Sequence, residues 1–229
     1  MKIHRFIGGF SLRPGRLDIS EEEISHQIWN VLKLRPGEHV MLCDGEGSEA
    51  EGVLLERNGS GASVELGSVT QNKNEPANKV SLYCAILKKE NFELVCQKAT
   101  ETGVAEIIPV ITERTVKLNF RADRGEKIIR EAAEQCGRGR LPALLEPMGF
   151  EEALERSRSA QRRVMMDATG SAGTAEPAQT AAIFIGPEGG WTEAELALAS
   201  SAGLKTVSLG SRTLRAETAA IIAVYLAAN

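Results

Sequence analysis

AAIFIGPEGGWTEAE (181–195) and TVSLGSRTLRAETAA (206–220) are the two stretches on which the reading of this chain turns. Each opens as a short apolar run and breaks into glycine, at Gly186 in the first and Gly210 in the second. Apolar runs of this length, alternating with helical patterns, read as strands of a parallel α/β sheet, buried on both faces. Ligands of such sheets sit beyond the carboxyl ends of the strands. A glycine there lets the backbone approach a ligand closely and exposes its N–H groups. Gly186 and Gly210 occupy equivalent places on two strands, which suits a small molecule held mainly by main-chain groups. Taken singly, each motif also fits a tight turn before a helix; it is the pair that points to a site.

Working outward, Thr192 and Glu195 form a capping-box pattern that opens a helix, and Gly203 closes it. VSLYCAIL (80–87) is another buried-strand run. In the helix that follows, Phe92, Val95, Cys96 and Ala99 share one face and Gly103 ends it. EIIPV (106–110) and RVMMD (163–167) are further strands, and GEKIIREAAEQCG (125–137) is a helix. The last helix, RAETAAIIAVYLAA (215–228), is apolar nearly all round and is expected to be buried. ATGSAGTAEPAQT (168–180), small and polar, reads as a flexible surface loop.

The first seventy residues have a different rhythm. The runs at 38–44, 49–56 and 62–67 are strand-like, separated by glycine-rich turns, with a helical patch over 19–34. They suggest a small β-barrel. Polar TQNKNEPANK (70–79) is the expected linker, giving domains at 1–72 and 73–229.

Of 229 residues, 42% are hydrophobic and 25% charged, as in ordinary soluble globular proteins, and no apolar run reaches the eighteen residues of a membrane span. The N-terminus lacks an apolar signal core, so the expected location is cytoplasmic. Cys43, Cys84, Cys96 and Cys136 are too widely spaced for a structural zinc site and read as free thiols; no metal is expected. All three histidines lie within the first forty residues, so chemistry in the α/β part must proceed without imidazole. Net charge is −4, yet residues 73–140 carry thirteen Lys/Arg against ten Asp/Glu, the only net-basic third. A phosphate backbone can dock on such a stretch, although the interspersed acids equally suit a solvated face.

There is no G-x-G-x-x-G after a strand, no G-x-x-x-x-G-K-[ST] and no G-x-S-x-G, so Rossmann, P-loop and nucleophile-elbow sites are unsupported. IGPEGGWTEAE followed by SLGSRTLRAETAA resembles the C-terminal signature of the small-subunit ribosomal RNA uracil-N3 methyltransferases, the RsmE family of the SPOUT superfamily. QKATETGVAEIIPV, EAAEQCGRGRLP and HQIWNVLKLRPGEHVMLCDGEG resemble other family segments. Departures are Thr102 for the usual leucine, Lys33 for a customary arginine, and Trp191-Thr192 where Phe-Ser is commoner.

The resemblance implies an α/β protein with an N-terminal PUA-like, RNA-binding β-barrel and a C-terminal SPOUT domain tied in a trefoil knot. It implies a homodimer with its sites near the subunit interface. It also implies S-adenosyl-L-methionine as cofactor and 16S rRNA of the small ribosomal subunit as partner, hence a place in rRNA processing and ribosome biogenesis. Gly186, Pro187, Glu188, Gly189, Leu209, Gly210, Leu214, Ala216 and Thr218 are the implied cofactor-binding residues. Arg215 is expected to stabilise charge developing on the uracil oxygens. Glu217 is expected to orient Arg215 or take the N3 proton, or else simply to offset the helix dipole. Arg5, Arg114, Arg121, Arg138 and Arg140 are the expected RNA-positioning cations. The competing functions are a methyltransferase of this fold acting on ribose 2′-OH or tRNA, and a non-catalytic RNA-binding assembly factor.

Overall fold

The computed structural model describes residues 3–116, 120–173 and 178–229. The basic residue Lys117 and part of the expected 168–180 loop lie outside them. The chain divides into two compact units, Met1–Glu75 with Ala133–Leu141, and Pro76–Ala132 with Pro142–Asn229. Residues 133–141 thus join the first unit, an assignment that a split at 72/73 does not make.

The first unit contains β1 (His4–Ile7), β2 (Gly15–Ile19), α1 (Glu22–His26), β3 (His39–Cys43), β4 (Ser48–Asn58) and β5 (Gly61–Gln71). They form a five-stranded sheet in the order β1-β3-β4-β5-β2. The helical patch expected over 19–34 is only α1 followed by a single π-helical stretch, Gln27–Val31. Strands β1 and β2 escaped the sequence reading because they are short edge strands whose pairing is non-local, β1 parallel to β3 and β2 antiparallel to β5. Phe6, Ile24, Ile28, Val40, Leu42, Leu54 and Val64 fill the core of this unit.

The second unit runs β6 (Lys79–Ala85), α2 (Lys89–Thr102), β7 (Glu106–Ile111), α3 (Ala122–Cys136, whose last turn falls in the first unit), β8 (Ala143–Leu144), β9 (Met148–Gly149), α4 (Phe150–Arg156), β10 (Arg162–Ala172), β11 (Thr180–Ile185), α5 (Glu193–Ser201), β12 (Lys205–Ser208) and α6 (Ala216–Ala228). Its strands pair in the order β12-β10-β11-β6-β7-β8, with β9 also beside β7, and every ladder is parallel. All carboxyl ends therefore open on one edge. The local signals behave as their chemistry dictates. Gly103 ends α2 at φ +103°, and Phe92, Val95, Cys96 and Ala99 are buried. Glu195 N donates to Thr192 Oγ1 (3.2 Å) while Glu195 Oε2 accepts from Thr192 N (2.9 Å), which completes the capping box of α5.

Two expectations are corrected. Residues 168–172 are not loop but the continuation of β10. Val207 of β12 faces both Met166 and Ser171, so residues 167–170 bulge out and the strand then resumes its pairing. Small residues carry no period-2 hydrophobic signal, so nothing local marks this strand. Nor is α6 buried all round: Ala220, Ala223, Val224 and Ala227 are buried, whereas Tyr225 is 56% exposed and Ile222 lies beside it on the surface.

The four thiols are free, with Cys43, Cys84 and Cys96 buried. Burial pushes the Cys43 thiol up to about 11 and that of Cys96 up to about 12, so neither is a nucleophile near neutral pH.

Candidate functional site

At the carboxyl edge of the parallel sheet lies a cavity of about 670 Å³. Four neighbouring strands supply its wall. The loop after β11 gives Gly186, Pro187, Glu188, Gly190 and Trp191, and the loop from β12 into α6 gives Leu209 and Arg212–Glu217. Strand β10 gives Met166 and, from its bulge, Asp167 and Ala168, and the segment after β6 gives Lys88 and Asn91. The two glycine loops picked out in the sequence therefore meet across β10, which lies between β11 and β12.

Of the expected cofactor residues, Gly186, Pro187, Glu188, Leu209, Leu214 and Ala216 line the cavity; Gly189, Gly210 and Thr218 do not. Gly189 acts behind the wall, its carbonyl accepting from Arg114 Nη1 at 2.7 Å. Gly210 sits at φ +129°, a conformation that a side chain rarely adopts, and so turns the chain at the end of β12. Thr218 follows in the first turn of α6.

Sequence reasoning missed Trp191, Met166, Asp167, Lys88 and Arg212. Trp191 is the most consequential. Its ring packs on Phe150 (centroids 5.3 Å apart), its Nε1–H donates to the Met166 carbonyl (3.1 Å), and its face closes against Gly186. A Cβ on Gly186 would stand 3.0 Å from the Trp191 ring. Gly186→Ala is therefore expected to push the indole or the loop outward and weaken ligand affinity about tenfold or more, with little loss of secondary structure; calorimetric titration against circular dichroism checks both. The available signal was an indole close after Gly-Pro, which needs a buried partner for its N–H.

Arg215 is the N-cap residue of α6, with its side chain 84% exposed, and Glu217 lies in the first turn. Arg215 Nη1 stands 3.9 Å from Glu217 Oε1. Glu217 is only 6% exposed, and its Oε2 has no hydrogen-bond partner among the described residues. A buried acceptor left unpaired costs about 1–3 kcal/mol, and more when charged, so a donor reaching this atom would be stabilising. The first-turn position also favours a carboxylate electrostatically; the dipole and ligand readings are compatible.

The expected RNA-positioning arginines separate into two groups. Arg138 is 5% exposed and bound through Nη2 to Glu75 Oε2 at 2.9 Å, while Glu75 Oε1 accepts from the main-chain N–H groups of Gly139 and Arg140. Arg5 donates to Glu49 Oε2 (2.6 Å) and to Cys43 Sγ (2.8 Å), with most of its side chain covered. Both hold internal ion pairs with half-buried carboxylates, which occupies part of each guanidinium's donor set. Arg114 is exposed but braces the site loop through Gly189 O and Trp191 O. Arg121, paired with Asp123, and Arg140 keep exposed side chains.

Among the described residues no group of three or more His, Cys, Asp or Glu is placed to hold a metal ion, and no helix is long and apolar enough to cross a membrane.

A cavity walled by two glycine loops at the carboxyl edge of a parallel sheet defines an α/β protein with a small-molecule site. The chain belongs to the RNA methyltransferase family: the model of its RNA methyltransferase domain matches residues 73–228, and that of its PUA domain matches residues 19–67. It is similar to proteins named ribosomal RNA small subunit methyltransferase E. The one from Synechocystis is 31% identical over 210 residues (87% of this chain, 68% of that protein), and the one from Mesomycoplasma hyopneumoniae is 35% identical over 165 residues (69% and 73%). Among solved structures, ribosomal RNA small subunit methyltransferase E from Neisseria gonorrhoeae, bound to S-adenosyl methionine, superposes with a TM-score of 0.91 at 32% identity, covering 97% of this chain and 95% of that one. A methyltransferase from Legionella pneumophila in complex with the same cofactor gives 0.88 at 31% identity, with 98% and 96% covered. These likenesses agree with a PUA-like first unit and a SPOUT-type second unit.

Proposed function

We propose that this protein transfers the methyl group of S-adenosyl-L-methionine to N3 of a uridine in 16S rRNA of the small ribosomal subunit. The observation that carries the reading is the cavity in which the Gly186 and Leu209 loops converge on one main-chain cradle. Its volume lies in the range of small-molecule sites. The residues present fit the donor: it carries no phosphate and needs no phosphate loop, and the glycine-rich turn at Gly186–Glu188, with Leu209, Leu214 and Ala216, offers main-chain groups and apolar wall for a nucleoside.

When bound, S-adenosylmethionine supplies an electrophilic methyl group on a sulfonium, so the protein's task is position and electrostatics. The exposed Arg215 guanidinium donates to the uracil oxygens as negative charge develops on them. Uridine N3 carries a proton at neutral pH that must leave, and the unpartnered Oε2 of Glu217 accepts it, while Oε1 faces Arg215 and orients it. No histidine occurs in this unit to compete for that role. Arg121 and Arg140 contribute phosphate contacts, and the first unit adds RNA-binding surface, with the functional boundary near residues 72/73.

Three further features belong to this reading. A homodimer is supported by the exposed apolar stripe of Ile222 and Tyr225 on a helix otherwise packed against the sheet. A trefoil knot is supported by the placement of β10 between β11 and β12, so that the chain leaving β11 passes to the far side of β10. A cytoplasmic location follows from a ribosomal substrate.

The test incubates purified protein with labelled methyl donor and either small subunits or free 16S rRNA. Label recovered as N3-methyluridine is the expected result. Label on ribose 2′-OH or on tRNA would move the protein to another substrate of the same fold, and absence of donor binding by calorimetry would make it a non-catalytic assembly factor.

A further inference from the structure

Of the cations expected to meet RNA, Arg5 and Arg138 hold internal ion pairs and Arg114 braces the site loop, which leaves open what grips the substrate backbone at the site itself. Three cationic residues are among those that line the cavity: Lys88, Arg212 and Arg215. The carboxylates beside them are Asp167, Glu188 and Glu217. Asp167 Oδ1 accepts from Thr169 N and Oγ1 (2.8 and 2.6 Å), and Glu188 Oε1 accepts from the main-chain N–H of Lys88 (3.2 Å). Glu217 lies buried, its Oε1 toward Arg215. The side chains of Lys88 and Arg212, both exposed, have no hydrogen-bond or ion-pair partner among the described residues. The three cations and three carboxylates balance in formal charge, but the nitrogens of Lys88 and Arg212 are the exposed donors here left for an incoming anion.

The positions of the two cations matter more than their number. Lys88 follows β6 and Arg212 follows β12, the outermost of the four strands that wall the cavity, in the order β12-β10-β11-β6. At about 4.8 Å per strand their strand ends are roughly 14 Å apart. The Gly186 loop leaves β11, which lies between those two strands, and Arg215 and Glu217 line the same cavity.

Resting on the methyltransferase reading, we infer that Lys88 and Arg212 form a phosphate clamp: each holds a backbone phosphate on one side of the target nucleotide, whose splayed-out base enters the cavity between them. Sequence-specific RNA recognition commonly takes an unstacked base, while phosphate contacts fix register. Two anchors on either side of the opening meet both needs without reading sequence. The Arg212 fork suits two phosphate oxygens at once; Lys88 supplies a point charge on a flexible stem.

The test measures binding of free 16S rRNA by filter retention across a salt series for wild type, Lys88→Gln, Arg212→Gln, Arg212→Lys and the double glutamine variant, with donor affinity by calorimetry in parallel. Each glutamine variant is expected to weaken RNA binding about tenfold at moderate salt. Each should make the slope of log K against log salt shallower by about 0.7, with the double variant near twice that. Arg212→Lys keeps the charge and should recover most of the slope, a pattern that a purely structural role would not give. Both side chains are exposed, so melting temperatures should not move. An unchanged salt slope in the double variant would overturn the clamp. So would a loss of donor affinity equal to the loss of RNA affinity, because the cations would then be gripping the donor's carboxylate. A wild-type protein that shows this salt dependence but transfers no methyl group would overturn the methyltransferase reading and support the clamp.

Discussion

Arg215→Ala is expected to lower methyl transfer by roughly 10²–10³-fold, the range seen when one preorganised donor to a developing oxyanion is removed, while S-adenosylmethionine affinity stays within about twofold. The side chain is 84% exposed at the mouth of the cavity and its nearest carboxylate contact, Glu217, is 3.9 Å away. It therefore holds no part of the fold together, and its loss should leave the melting temperature alone. In the open site the guanidinium is screened by water. Its field acts at full strength only when the RNA base covers it, which is why the effect belongs to turnover and not to donor binding. Single-turnover methylation of small subunits, read beside calorimetry, separates the two. Normal turnover in the alanine variant would remove Arg215 from the reaction.

Trp191→Ala should destabilise the second unit by about 3–5 kcal/mol, the usual cost of truncating a buried Trp to Ala. At roughly 2–4 °C per kcal/mol for a chain of this size, the melting temperature should fall by roughly 6–20 °C. Several losses coincide at this residue. The indole belongs to the core cluster of Tyr83, Phe150, Met165, Phe184 and Leu204, and Tyr83 and Phe184 stack there at 4.5 Å. Its N–H satisfies the Met166 carbonyl at the point where β10 leaves its first register. Its ring also backs Gly186. Donor affinity should therefore fall together with stability. Trp191→Phe retains most of the volume and loses only the hydrogen bond, so it should cost about 1–2 kcal/mol. Scanning calorimetry of both variants distinguishes the contributions, and a shift below about 2 °C for the alanine variant would show that the indole is dispensable.

The ends of the elements were readable because their chemistry is local. Gly103 terminates α2 through a left-handed φ, and the Thr192–Glu195 pair closes on itself within one helical turn. The meeting of the two glycine loops was readable for a related reason: Gly186 and Gly210 mark strand ends, and strand ends of a parallel sheet share one edge. Harder to see were features made by register. Residues 168–172 look like loop because their small side chains carry no alternation, and only the resumed pairing with β12 makes them strand. The site wall takes in Asp167 and Ala168 from that bulge and Met166 just before it. The exposed side of α6 was likewise hidden, since a uniformly apolar helix does not announce which face its neighbours leave uncovered.

The sequence by itself determined the class of fold and the two glycine loops that meet at the cavity, because residue type and short spacing dictate turns, caps and buried strands. Only the tertiary structure decided which charges are available. Arg5 and Arg138 are paired with Glu49 and Glu75, partners 44 and 63 residues away, while Lys88 and Arg212, unremarkable in the chain, line the cavity with side chains that have no partner among the described residues. The physical reason is that a side chain's charge is fixed by its chemistry, but what that charge is available to do depends on the neighbours that folding brings to it.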